Sequence, residues 1–349
     1  MNIVRRWFDR YLSDPQVVIL SLLLISGFVL VVTMGNMLAP VLAAVVIAYL
    51  LEGLVAWLER RGMGRTPAVV LVFLVFMLAL FFLIFGLIPL LSSQITQFVQ
   101  HLPDMVAKGQ AQLMRLPERY PELVSDDQVQ AFMESVRRDL AAFGQKVLSL
   151  SLASLIGLIT LLVYLILVPV LVFFFLKDKD RILAWVVGYL PRERALTARV
   201  WADVNRQIGN YVRGKVWEIF IVGSVSYATF QLMGLQYALL LGTLVGFSVI
   251  IPYIGAAVVT IPVALIAYFQ WGWSAQFAWV VVAYGIIQAL DGNVLVPLLF
   301  SEVVNLHPVA IIVAVLVFGG IWGFWGVFFA IPLATLVQAV LKAWPGGEA

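Results

Sequence analysis

The sequence predicts an all-α polytopic membrane protein with about eight hydrophobic segments, two of them (236–269 and 308–341) broken or re-entrant. Three observations carry this. Of 349 residues 63% are hydrophobic and 12% charged, with a mean hydropathy of +1.02. A soluble domain of that balance would leave much apolar surface against water, so lipid is the solvent that fits. Apolar runs long enough for a hydrocarbon core of roughly 30 Å recur along the chain. Finally, the runs 236–269 and 308–341 exceed one straight crossing, and each has helix breakers near its middle.

Taken in order, the N-terminus MNIVRRWFDRYLSDPQ sets basic residues before an apolar run, as a signal peptide does. The run Val17 to Met34 is nevertheless of spanning length, and no small-residue cleavage site follows it closely. It is read as the first membrane helix. Further spans are expected at 37–58, 67–91, 152–176, 216–234, 236–269, 274–290 and 308–341. Only 92–150 and 177–215 look water-soluble. Within the first, Val129, Phe132, Met133, Val136, Leu140, Phe143 and Val147 form a helical stripe opposite Glu134, Arg137, Arg138 and Asp139. That pattern predicts an amphipathic helix on the membrane or on the protein. The division expected is helices one to three in 1–91, an extracytoplasmic amphipathic segment in 92–150, helix four with a basic cytoplasmic segment in 151–215, and a C-terminal membrane unit in 216–349.

Sidedness follows from Lys and Arg, because short basic loops stay in the cytoplasm. Arg5, Arg6 and Arg10 precede span one, Arg60, Arg61 and Arg65 follow span two, and nine basic residues occupy 177–215 after span four. These sites alternate correctly with the N-terminus inside. From Val216 to Leu341 there is no Lys or Arg, so the rule is silent there. A multi-pass membrane protein with both termini cytoplasmic is expected.

The two long runs would each extend roughly 50 Å as straight helices. Pro252 and Gly255 interrupt the first; GGIWGFWG, with Gly319, Gly320, Gly323 and Gly326, interrupts the second. Unpaired backbone at membrane depth survives only where protein covers it or water reaches it, and paired interrupted segments point to a transporter's binding site. The other reading is close helix packing through small residues, as at Gly242/Gly246 and Gly319/Gly323. If both runs are continuous, the loop 291–308 lies outside; if both are hairpins, it lies inside. Their length favours hairpins, and both schemes return Lys342 to the cytoplasm.

Chemistry-bearing residues are few. There is no Cys, hence no disulfide and no thiolate metal site. G-x-S-x-G, H-E-x-x-H and the phosphate-binding loop are missing too, so no enzyme, cofactor or metal is expected. The net charge of +3 is too small and too spread for a nucleic-acid partner. Ionisable residues inside membrane segments each need a reason. Glu218, three residues after Lys215, and Glu52, about two turns from Arg60, are explained by pairing or by the interface. Asp291 is the strongest candidate for binding a substrate or coupling ion: it ends an apolar span and opens a segment with Asn293, Pro297 and Glu302 but no nearby cation. Its alternative is a solvated helix end. Glu302 and His307 would serve a proton relay or be exposed loop residues. Gln288, Tyr253, Thr260 and Ser248 would orient a polar solute or bond to neighbouring carbonyls. Trp322 and Trp325 would plug a pathway if the last run folds back, and pack otherwise.

The stretches AYLLEGLVAWLERRG, VFFFLKDKDR, NYVRGK, GLQYALLLGTLVGFSVIIPYIGAAVVTIP, QALDGNVLVPLLFSEVVNLHP and FGGIWGFWGVFFAIPLATLVQAVLKAWP resemble the autoinducer-2 exporter (AI-2E) family of permeases. The resemblance spans most of the chain, with little in 92–150. It implies an inner-membrane protein of about eight hydrophobic segments, a homo-oligomer whose expected form is a pentamer, and an elevator-like two-domain protomer. Members are implicated in export of autoinducer-2 and, in other branches, in sodium or proton antiport. The family's YIG and GNxxxP signatures fall on Tyr253, Ile254 and Gly255 and on Gly292, Asn293 and Pro297. Many members carry Asn-Pro where this chain has Glu52-Gly53, and Glu where it has Asp291.

The function expected is export or secondary transport of a small polar solute, an autoinducer-2-like metabolite among the options, driven by a proton or sodium gradient. The partners expected are that solute, the lipid bilayer and further copies of the chain. A membrane scaffold or a channel are the alternative classes.

Overall fold

A computed structural model describes residues 15–113, 126–151, 155–189, 195–252, 254–300 and 306–343. Tyr253, Glu302 and the N-terminal arginines Arg5, Arg6 and Arg10 lie outside them. The described residues form helices without strands: α1 (Pro15–Arg60), α2 (Arg65–Phe82), α3 (Ile88–Leu113), α4 (Asp126–Ser151), α5 (Leu155–Lys177), α6 (Lys179–Gly188) and α7 (Ala195–Leu232), then α8 (Ala238–Ser248), α9 (Ile254–Trp271), α10 (Ala275–Leu290), α11 (Val296–Phe300), α12 (Pro308–Trp322), α13 (Phe324–Phe328) and α14 (Ala330–Ala343). Five stretches of described residues are long and apolar enough to cross a bilayer: Val18–Gly35, Met37–Arg60, Arg65–Ala111, Ile254–Trp271 and Ala275–Phe300. Shorter apolar helices cover Val163–Lys177, Ala238–Ser248, Pro308–Trp322 and Ala330–Val340.

Three expectations change. Spans one and two share one 46-residue helix, without the reversal near Gly35 on which the sidedness of the N-terminus depended. Neither Gly35 nor Asn36 removes a backbone donor, and the helix continues through both, as it does through Pro40, which withholds a donor from the Asn36 carbonyl. The span 216–234 is the second half of the 38-residue α7, which begins inside the segment read as basic and soluble. The expected loop 291–308 is helical as far as Phe300.

That last change has a local cause. A π-turn, Asp291–Leu295, joins α10 to α11, and a second one, Leu83–Leu87, joins α2 to α3. Each ends two residues before a proline, Pro297 and Pro89. A proline has no N–H for the carbonyl four residues back and its ring strikes that carbonyl. Here that carbonyl belongs to Asn293 or Phe85, the middle residue of each π-turn. Widening the turn by one residue relieves the clash, and the helix continues.

The two largest hydrophobic cores among the described residues join the N-terminal and the C-terminal helices respectively. Ala44, Ala48 and Val55 of α1 pack with Ala68, Val69 and Val72 of α2 and with Val172 and Leu176 of α5. At one end of this core Arg65 forks onto Glu52 (3.3 Å to each oxygen) and donates to the Leu176 carbonyl (2.7 Å). Lys179 Nζ completes the cluster 2.9 Å from Glu52 Oε1. Glu52 thus pairs with Arg65 and Lys179, not Arg60, and the basic ends near 60 and 177 lie together. The second core joins Val222 and Phe230 of α7, Leu241 and Val245 of α8, Val263 and Ile266 of α9, and Val280, Tyr284 and Ile287 of α10. Gly242 and Gly246 bring α8 against α7 so closely that a methyl on either would strike the backbone at Tyr227 or Ile219.

In 92–150, α3 and α4 are amphipathic helices as expected. Val129 and Met133 are buried, Val136 is half-buried, and the side chains of Phe132, Leu140, Phe143 and Val147 lie outside the described ones. Arg137 Nη2 donates to Gln110 Oε1 (2.6 Å) and ties α4 to α3.

Candidate functional site at the helix breaks

The run 236–269 doubles back. The Gln236 N–H donates to Gln270 Oε1, and Gln270 Nε2 donates to the Gly234 carbonyl, each at 2.8 Å, so its two ends meet. Between them α8 descends, the helix breaks after Val249, and α9 returns; Pro252 and Gly255 flank the tip. Gly255 is needed because a methyl there would coincide with the Ser248 carbonyl. The base of this hairpin is held by α3: Gln94 Oε1 accepts the Leu240 N–H (2.9 Å), one of the donors a helix start leaves free. His101 Nδ1 shares a 2.6 Å hydrogen bond with the Tyr237 hydroxyl, and Tyr237 holds a left-handed backbone (φ 57°) just before α8.

The tip faces α7 at a buried charge cluster. Lys215 Nζ donates to the Val249 carbonyl at the end of α8 (2.9 Å), where the helix dipole favours a cation. It also pairs with Glu218 Oε2 at 2.6 Å, both side chains being at most 5% exposed. That oxygen gains no aligned hydrogen bond. The Phe300 and Tyr211 rings lie 5.1 and 5.9 Å from Nζ. Asp291, in the π-turn packed on α7, is within electrostatic reach of both Lys215 and Glu218. Its Oδ1 is buried without a hydrogen bond, as is Gln288 Nε2 one turn earlier.

The expectation that Asp291 has no nearby cation is therefore overturned: the fold delivers Lys215 from 76 positions away. Lys215 is the residue sequence reasoning missed. Its signal was its place as the last basic residue before a third of the chain without any, three residues before Glu218.

The other candidates divide. Asn293 is exposed and its Nδ2 donates to the Ala289 carbonyl (2.8 Å) on its own helix. Pro297 shapes the π-turn. His307 caps α12, its Nδ1 accepting the Val309 N–H (3.2 Å) ahead of Pro308. Ser248 and Thr260 donate to the carbonyls of Val245 and Ala256 in their own helices (2.7 and 2.8 Å). The run 308–341 breaks at Gly323, whose φ of 58° and ψ of −131° suit glycine. The chain then turns back so that Val327 lies against Gly319 and a methyl on Gly326 would coincide with the Phe318 carbonyl. Gly320 has open space around it. Trp322 stacks on Phe318 (5.9 Å) and meets Phe28 (5.5 Å), lining an apolar groove of about 580 Å³ beside α1.

Long apolar helices, with the pair α8–α9 doubled back and a charged cluster at its tip, define a polytopic α-helical protein integral to the membrane. The model of the AI-2E family transporter matches residues 17–346, and the chain belongs to that family. It is 48% identical over 348 residues to the protein of Escherichia coli (strain K12) named "Putative permease PerM", covering 100% of this chain and 99% of that one. It is 28% identical over 316 residues to "Putative transport protein YueF" of Bacillus subtilis (strain 168), covering 88% and 84%. It is 22% identical over 321 residues to "Putative transport protein YhhT" of Escherichia coli (strain K12), covering 90% and 86%. Family and relatives are named for transport, not for catalysis.

Proposed function

We propose that the chain is a secondary transporter or exporter of a small polar solute in a bacterial inner membrane, driven by a proton or sodium gradient. The observation that carries this reading is the doubled-back pair α8–α9, whose broken tip meets Lys215, itself buried against Glu218 and within electrostatic reach of Asp291. Irregular backbone and buried charge at depth are both expensive, and together they fit a carrier's binding site. Residues 216–349 are the unit that moves against the N-terminal helices, re-entrant at both interrupted runs, with the π-turn at Asp291 and the C-terminus on the cytoplasmic side. Asp291 is the coupling carboxylate, and Gln288 and Asn293 line the approach. Assembly as a homo-oligomer belongs to the same reading through the family.

The test is flux. In proteoliposomes carrying the purified protein, Asp291→Asn is expected to abolish gradient-driven flux while leaving the unfolding midpoint near that of the parent. Parent-like flux across a range of pH and sodium would remove Asp291 from the mechanism.

A further inference from the structure

We infer that the pocket around Lys215 is a site for a monovalent alkali cation, and that the Lys215 ammonium is its tethered, exchangeable occupant. This deepens the coupling reading above and rests on it. The acceptors are all hard oxygens: the Val249 carbonyl, Glu218 Oε2 and, from the π-turn, Asp291. Oxygen donors suit alkali and alkaline-earth ions, not the metals that prefer nitrogen or sulfur. Glu218 pairs with the one ammonium and Asp291 lies within its electrostatic reach, so two carboxylates face a single cation. Glu218 Oε2 is held by its ion pair alone, and Asp291 Oδ1 is buried without a hydrogen bond, so Asp291 is the carboxylate left without a direct partner. The Val249 carbonyl closes a half-helix, and the C-terminal ends of such half-helices are where transporters coordinate their coupling ions. The Phe300 and Tyr211 rings offer further cation-favouring faces.

Lysine, a compact charge on a flexible four-carbon stem, is suited to leave and return. An entering sodium ion takes the Val249 carbonyl and the Glu218 oxygen, and Lys215 withdraws. The hydrogen bond that holds the hairpin tip to α7 then passes from protein to ion. Cation entry is thereby linked to freedom of the tip.

The test reads binding without transport, so it and the flux experiment can fail separately. Thermal unfolding of the full-length detergent-purified protein is followed with sodium chloride replaced by choline chloride at constant ionic strength. Lys215→Met and Lys215→Gln leave the carboxylates unpaired, and sodium should raise their midpoints with half-saturation about tenfold below the parent's. Lys215→Arg should gain no such response, and Glu218→Gln added to Lys215→Met should cancel it. A sodium response in the neutral variants no greater than the parent's, or one that survives Glu218→Gln, overturns the site. Should neither neutral variant fold, amine labelling of the parent, resolved by peptide, decides: sodium should increase modification of Lys215 over choline, and equal modification overturns the exchange.

Discussion

At the scale of single residues, two glycines do similar work at the two breaks. Gly255 lies on the Ser248 carbonyl and Gly326 on the Phe318 carbonyl, so each lets backbone approach backbone where the chain reverses. A methyl at Gly255 must push the start of α9 away from the end of α8. Gly255→Ala is expected to destabilise the protein by about 1–3 kcal/mol, the range for overpacking. Gly320→Ala, on a helix with open space around it, should gain up to about 1 kcal/mol from helix propensity alone. Unfolding midpoints of both variants in one detergent check the contrast. The sequence marked both Gly255 and Gly320 as breakers but did not separate them, since the difference is a close approach to a carbonyl seven residues away in one case and nothing in the other. The partner of Asp291 was hidden for a related reason: Lys215 reads as an interfacial residue until α7 and the π-turn are packed together.

At the scale of elements, length and breakers were legible and geometry was not. The 34 residues of 236–269 exceed one crossing, and their doubling back is what the Gln270 contacts record. Pro297 was read as loop because proline usually ends a helix, whereas the π-turn lets α10 continue into α11. The turn also sets which way Asp291 faces. Pro297→Ala restores a donor to the Asn293 carbonyl and lets the turn relax to α geometry. Removing the extra residue rotates one end of the element against the other by about 100°. The expected result is a folded protein with coupled flux reduced at least about tenfold, a loss near 1.4 kcal/mol of transition-state stabilisation. Circular dichroism and proteoliposome flux, measured together, check it.

For the whole molecule, the positive-inside reading survives in part. Arg65 and Lys179 meet on Glu52, so the basic ends of α1, α2 and α5 share one side, as their charges foretold. The alternation at the N-terminus does not follow, because α1 runs unbroken where a reversal was needed. In the reading proposed above, α8–α9 is re-entrant and α10 carries Asn293 to the cytoplasmic side. A cysteine at Asn293 should react with a membrane-impermeant maleimide only in inside-out vesicles. Labelling in intact spheroplasts would require the opposite topology.

The grip of α3 on the base of α8–α9 has a mechanical corollary. Gln94 and His101 fasten that base to a helix which, through Leu83–Leu87, is the direct continuation of α2 in the N-terminal core. Any stroke of the hairpin must then drag α3 along, and the strain falls on the one widened turn between α2 and α3. The pivot of this protein would sit inside a helix, at a joint made by Pro89, and not in any of its loops.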